Sequence, residues 1–226
     1  MSTGLALAEA SFSFSFSLDM PLRIMWEANL GYCGEMSTAN VGLIYGQYFS
    51  QYDVRQIATG AQSAEYVVDG KIDVKTAKAL RLASFEFDSS TYDTQAYLVW
   101  VKQQVMKGYP VTIGVYMNQL LFYGTNSDED PEYDHIVSVT KILSNYNDNL
   151  YHSTDVIFFD DHALWSDTAH NTNIDPPNPQ FIFNYTFGNF QKTRAQADSL
   201  TGPIYSLAIA SAAEMGISSI SHLLFI

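Results

Sequence analysis

The chain has 226 residues, 47% of them hydrophobic and 14% aromatic, enough apolar surface to pack one domain and too much for a disordered chain. Eleven basic against 24 acidic residues leave a formal charge of −13, which argues against nucleic acid or an anionic membrane as partner, because phosphates are held by clustered Lys and Arg. A single cysteine excludes an internal disulfide framework and a zinc site of several thiolates.

Residues 1–18 lack the basic start and long apolar stretch of a signal peptide. Within them Phe12, Phe14 and Phe16 alternate with serines, which predicts a half-buried strand over 11–18. Gly34–Phe49 predicts a helix with Met36, Val41, Ile44, Tyr45 and Tyr48 near one stripe, weakened by its internal glycines. Further helices are expected at Asp53–Thr59 and Asp73–Leu82, each opening on an acidic residue suited to capping. Asp93–Lys107 follows, with Tyr97, Leu98, Val101 and Val105 on one side and Gly108 as a stop.

Beyond Pro110 the pattern changes to strands, expected at Val111–Tyr116, Ile136–Leu143, Val156–Phe159 and Phe181–Phe187. Polar loops rich in Asn, Asp and Pro are expected at 126–134, 145–149 and 171–179. The middle loop makes its two flanking strands antiparallel neighbours. The apolar tail 202–226 suits a final strand pair or a cover for a sheet edge. No apolar run approaches the ~20 residues of a membrane helix. Helices first and an antiparallel sheet second is an α+β arrangement. We expect one domain over 1–226, with a helical half at about 30–108 and a sheet half at about 109–226 joined by the N-terminal strand.

One constellation could carry chemistry. Cys33 stands in Gly31-Tyr32-Cys33-Gly34-Glu35, just before the first predicted helix. There the helix dipole and unsatisfied backbone N–H groups favour thiolate. Glu35 would oppose that effect if its carboxylate faced the sulfur, and the flanking glycines allow a substrate backbone to approach. The plain alternative is a small buried hydrophobe. His135 opens an apolar strand, and Asp160 and Asp161 end the next one. A carboxylate there could accept from one ring nitrogen of His135 while the other serves the thiol. Asp160, the first polar residue after the run, is preferred over Asp161.

With these residues in this order, the sequence resembles the papain-like cysteine peptidase superfamily, and within it the bacteriocin-processing (double-glycine) peptidase-like proteins and phytochelatin synthases. Tyr32-Cys33-Gly34 corresponds to their nucleophile motif, His135 to their histidine, and Asp160 to the aspartate after an apolar strand. The resemblance covers Leu30 to about His162. It implies a papain-like fold and a cleft bordered by Trp26, Tyr32 and Gly34. It implies hydrolysis or acyl transfer at an amide bond of a peptide or peptide-like substrate, with no cofactor. Such families place a Gln six residues before the nucleophile, in the oxyanion hole. Here that position is Glu27, whose ionised carboxylate would repel an oxyanion, and Asn29 offers an alternative amide donor.

Two other readings stay open. Glu27 and the acidic, aromatic-rich composition also suit a non-catalytic binding protein or pseudo-enzyme on the same scaffold. His152, His162 and His170, near Asp155, Asp160, Asp161 and Asp167, suggest a metal-dependent hydrolase, although their spacing matches no metalloprotease signature. The low lysine content and the sequon Asn184-Tyr185-Thr186 lean toward an extracytoplasmic protein. Oligomeric state is not encoded in any of these features.

Overall fold

The structure is a computed structural model that describes residues 12–26, 31–60, 73–87, 94–116, 133–163, 182–190 and 206–211. In chain order it contains β1 (Phe14–Ser17), α1 (Cys33–Ile44), α2 (Gln51–Thr59), α3 (Asp73–Ala79), β2 (Leu82–Glu86), α4 (Thr94–Met106), β3 (Val111–Tyr116), β4 (Tyr133–Ser144), β5 (Val156–Asp160), β6 (Ile182–Thr186) and β7 (Ser206–Ser211). The strands form one sheet in the order β2-β7-β3-β4-β5-β6, with β1 pairing to β4 beyond the end of β3. Every pairing is antiparallel, so the chain is an α+β protein.

The site depends most on α1, β4 and β5. In α1 every residue from Cys33 to Gly42 is buried, so no single apolar stripe organises it. Val41 and Met36 are in the core, whereas Tyr48, expected on the same stripe, is 86% exposed beyond the helix end. Gly42 is used: a Cβ there would run into the ring of Phe49, which folds back over the helix. Gly46, at φ +71°, takes the left-handed conformation just past the helix end.

The capping residue of α2 is Ser50. Its hydroxyl accepts from the Asp53 N–H while Asp53 accepts from the Ser50 N–H, a reciprocal box that starts the helix at Gln51 rather than at Asp53.

An expectation for the helical half needs correction. The helix expected to run to Leu82 stops at Ala79, and Arg81 turns the chain with φ +58°. Leu82–Glu86 then forms a strand that pairs with β7. The described part of the apolar tail, β7, docks as a final strand, as one of the two expectations has it, pairing with β2 and β3 inside the sheet. Residues 212–226 lie outside the described residues.

Helices α1 and α4 pack on β3 and β4. Met36, Val41, Leu98, Val101, Ile136 and Phe159 belong to one continuous core there. At full burial, side chains of this size contribute roughly 1.5–3 kcal/mol each. Among the described residues, no helix is long and apolar enough to cross a membrane.

Candidate functional site

Cys33 is the first residue of α1, as its position before the helix predicts, and it is 3% exposed. The N-cap, Tyr32, supplies no capping oxygen, so no side-chain cap competes for the positive end of the helix. Glu35 is in the same first turn but is bonded away from it, with Oε1 2.9 Å from Arg55 Nε of α2. Arg55 also donates to the Gly31 carbonyl at 2.7 Å, and its guanidinium carbon lies 3.5 Å from the Tyr32 ring centroid. One buried cation thus neutralises Glu35 and holds the Gly31–Tyr32 turn that presents Cys33. Tyr32 and Gly34, expected to border a cleft, are both buried here.

Two contacts fix how α1 lies on the sheet. Ser37 Oγ donates to the Ile136 carbonyl at 3.2 Å. Asn40 Nδ2 donates to Asp160 Oδ2 at 3.2 Å, and Asp160 is the partner of Ser138 across β4 and β5. Moving up α1 from Ser37 to Asn40 therefore moves along β4 from Ile136 to Ser138. Cys33 lies four residues back from Ser37 on the same helix, about 6 Å along its axis.

His135 is buried, and its Nε2 is 3.2 Å from the carbonyl oxygen of Asp161. A carbonyl only accepts, so Nε2 carries the hydrogen. In the neutral ring Nδ1 is then the nitrogen able to take a proton. This is the tautomer that a thiol partner requires, but the acceptor that sets it is a main-chain oxygen.

Asp160 departs from its expected role. Its Oδ1 accepts from the His162 N–H at 2.8 Å, and its Oδ2 faces Asn40 and lies 3.3 Å from His162 Nδ1. It is not bonded to His135. The residue that reaches His135 is Asp161, the other candidate, whose backbone carbonyl lies 3.2 Å from Nε2.

Together Ser37, His162 and Asp160 look like a second catalytic triad, because Ser37 Oγ is 2.8 Å from His162 Nε2. The second acceptor of the Ser37 hydroxyl, the Ile136 carbonyl, weighs against that reading. With the hydroxyl proton of Ser37 on the Ile136 carbonyl, Nε2–H donates to Oγ. Nδ1 then accepts from Asn40 Nδ2–H, which is 3.3 Å away. The imidazole is giving Ser37 a proton to share, not drawing one away, and all three residues are fully buried. The group joins α1 to the end of β5.

That end is strained. His162 and Ala163 both have left-handed backbones, with φ of +59° and +58°. Such residues cost on the order of 1–3 kcal/mol each and persist where their surroundings over-determine them. Here the Asp160 and Asp161 carboxylates accept from the N–H groups two residues on, and the His162 carbonyl accepts from Met25 N–H at 2.9 Å. Ser37, Asn40 and His162 were not assigned to the thiol site from sequence. Polar residues in a helix buried on nearly every side, and a histidine directly after the paired aspartates, were the available signals.

The remaining expectations divide. Glu27 and Asn29, the oxyanion candidates, lie outside the described residues, as do Asp167 and His170. Trp26 is 65% exposed and, with Leu22, Ile24, Met36 and Phe49, lines a groove of about 660 Å³ beside α1. Neither Cys33 nor His135 lines that groove. The proposed metal ligands are otherwise engaged. Asp155 holds Lys102 at 2.8 Å and Ser144 at 2.6 Å, while His152 is 2.9 Å from Asp148. No group of three His, Cys, Asp or Glu with metal-binding geometry occurs among the described residues.

No protein-family model matches the chain, and no curated protein matches it.

Proposed function

We propose that the chain is a thiol-dependent hydrolase or acyltransferase of papain-like architecture, acting on an amide bond of a peptide or peptide-like substrate. The observations that support the reading are Cys33 at the start of α1, the contact of that helix with β4 through Ser37 and Ile136, and a His135 ring whose Nε2 is committed to the Asp161 carbonyl. In this reading Cys33 gives its proton to Nδ1 of His135, and the thiolate attacks the carbonyl carbon. The imidazolium returns the proton to the leaving nitrogen, and water or an acceptor amine then takes the acyl group from sulfur. The N–H at Cys33 faces the developing oxyanion, and Asn29 or a protonated Glu27 would be the second donor.

The test is the pH dependence of iodoacetamide alkylation at Cys33 in wild type and in His135→Ala. A thiolate–imidazolium pair should make the wild type react at least ~10-fold faster at pH 6 than an ordinary thiol of pKa ~8.5, and His135→Ala should erase the difference. Ordinary titration in both proteins would overturn the assignment.

A second reading, a binding protein on the same scaffold, is favoured by the low exposure of Cys33 and by the open apolar groove elsewhere on α1. It requires ordinary thiol titration together with saturable binding of a peptide or small ligand at the groove.

A further inference from the structure

We infer that His135 is oriented by the main-chain carbonyl of Asp161, and that Ser37, Asn40, Asp160 and His162 are positioning residues that hold this carbonyl in place. The kinetic part of this inference rests on the proposed roles of Cys33 and His135; the geometric part does not.

The carbonyl of Asp161 belongs to the peptide that leads into the two left-handed residues, His162 and Ala163. A backbone oxygen moves when its peptide plane turns, so its aim depends on the torsions of Asp161 and His162. His162, and Ala163 after it, are left-handed, a conformation that costs a non-glycine residue free energy and needs external restraint. Three sources of restraint are visible. Asp160 Oδ1 takes the His162 N–H, which curls the chain directly after β5. The His162 ring is gripped on both nitrogens by α1, through Ser37 at Nε2 and Asn40 at Nδ1. Met25 N–H holds the His162 carbonyl from outside.

Ser37 and Asn40 are one helical turn apart on the helix that begins with Cys33. The helix carrying the thiol therefore also grips the turn that aims the imidazole. Asn40 fits this task in its amide orientation. Nδ2 serves both Asp160 and His162, while Oδ1 has no partner, and a flipped amide would set Oδ1 against the Asp160 carboxylate. The charged and titratable groups around the pair are Asp160, Asp161 and His162 from the end of β5, and the Glu35–Arg55 pair from α1 and α2.

A carbonyl acceptor differs from a carboxylate in a measurable way. It fixes the tautomer but carries no full charge to steady an imidazolium. Losing the positioning network should therefore change the tautomer of His135 without removing a charge beside it.

The experiment combines ¹⁵N-histidine NMR with the Cys33 alkylation profile, in wild type, Ser37→Ala and Asn40→Ala, with His135→Gln to assign the signal. Wild type should show His135 as the Nε2–H tautomer with a slowly exchanging ring proton. In Asn40→Ala that proton should exchange at least ~10-fold faster, and alkylation at pH 6 should fall ~3–10-fold. Ser37→Ala, the gentler change, should move both in the same direction by less. An Nδ1–H tautomer in wild type would overturn the inference, as would unchanged His135 exchange and alkylation in both folded variants. If wild-type Cys33 titrates as an ordinary thiol, the hydrolase reading fails and the tautomer and exchange data alone decide the inference.

Discussion

Strand β5 is bounded by two buried aspartates that are satisfied in opposite ways. Asp155, just before it, meets a full cation: Lys102 lies 2.8 Å away with both side chains fully buried, and Ser144 donates to the other oxygen at 2.6 Å. Asp160, at the far end, meets an amide and a backbone N–H, with the His162 ring 3.3 Å away. The first is a staple, tying α4 to the connection between β4 and β5. The second has no fixed cation, borders two left-handed residues, and connects through one peptide to His135. Charge compensation is spent where only rigidity is needed, whereas hydrogen bonds of adjustable geometry surround the residues proposed for chemistry.

The largest effect should come from breaking the staple. Lys102→Met leaves Asp155 buried without its cation, and removing one partner of such a pair costs about 3–5 kcal/mol. Urea denaturation should show that loss, while Cys33 alkylation in the folded fraction keeps the wild-type pH profile. Lys102→Met combined with Asp155→Asn removes both charges and keeps an acceptor for Ser144, so it should recover more than half of the loss. A shifted Cys33 profile in either variant would mean that the two ends of β5 are coupled, and the division of labour drawn here would fail.

The Asp160 end should respond in the reverse proportion. Asn40→Ala removes neutral donors only, and a stability loss of about 1–3 kcal/mol is expected. Its effect on His135 exchange should be larger than that of Lys102→Met, although it destabilises the protein less. Equal effects on both readouts would reduce the Asp160 cluster to a second staple.

The same contrast explains what could be seen in the sequence. Strands β3 and β5 and helix α4 were legible within a residue or two, because their patterns are local and their ends carry turn residues. Cys33 at a helix start and His135 near the start of a strand were legible for the same reason. Strand β2 was not: Leu82–Glu86 follows a helix directly, and its partner β7 is more than a hundred residues away. No local pattern reports such a pairing. Asp160 was placed correctly at the strand end but with the wrong partner. Its choice between His135 and His162 depends on two left-handed residues, one of them His162 itself, and such conformations are not written in side-chain type unless glycine marks them. Ser37 and Asn40 were hidden because apolar periodicity fades in a helix buried almost all round.

An exposed carboxylate on α2 offers the smallest and cleanest contrast with both buried ones. Asp53 accepts from the Ser50 N–H and the Ser50 hydroxyl, each at 2.8 Å, and these bonds, the backbone one first, hold its pKa below the ordinary aspartate value of 3.8 against slight desolvation. A depressed folded-state pKa contributes stability that is present above 3.8 and is lost as pH falls through the lower, folded value. Ser50→Ala deletes the capping hydroxyl but keeps the backbone donor, so it should cost about 1 kcal/mol at neutral pH. Solvent around Asp53 screens the effect, and part of that cost should vanish in acid once Asp53 is protonated. Comparing urea midpoints of wild type and Ser50→Ala from pH 6 down to pH 3 reads this directly. The gap should narrow as pH falls below 3.8, and the Cys33 profile should not change. A gap independent of pH would assign the whole cost to the Ser50 hydroxyl's bond with the Asp53 N–H and none to its bond with the Asp53 carboxylate.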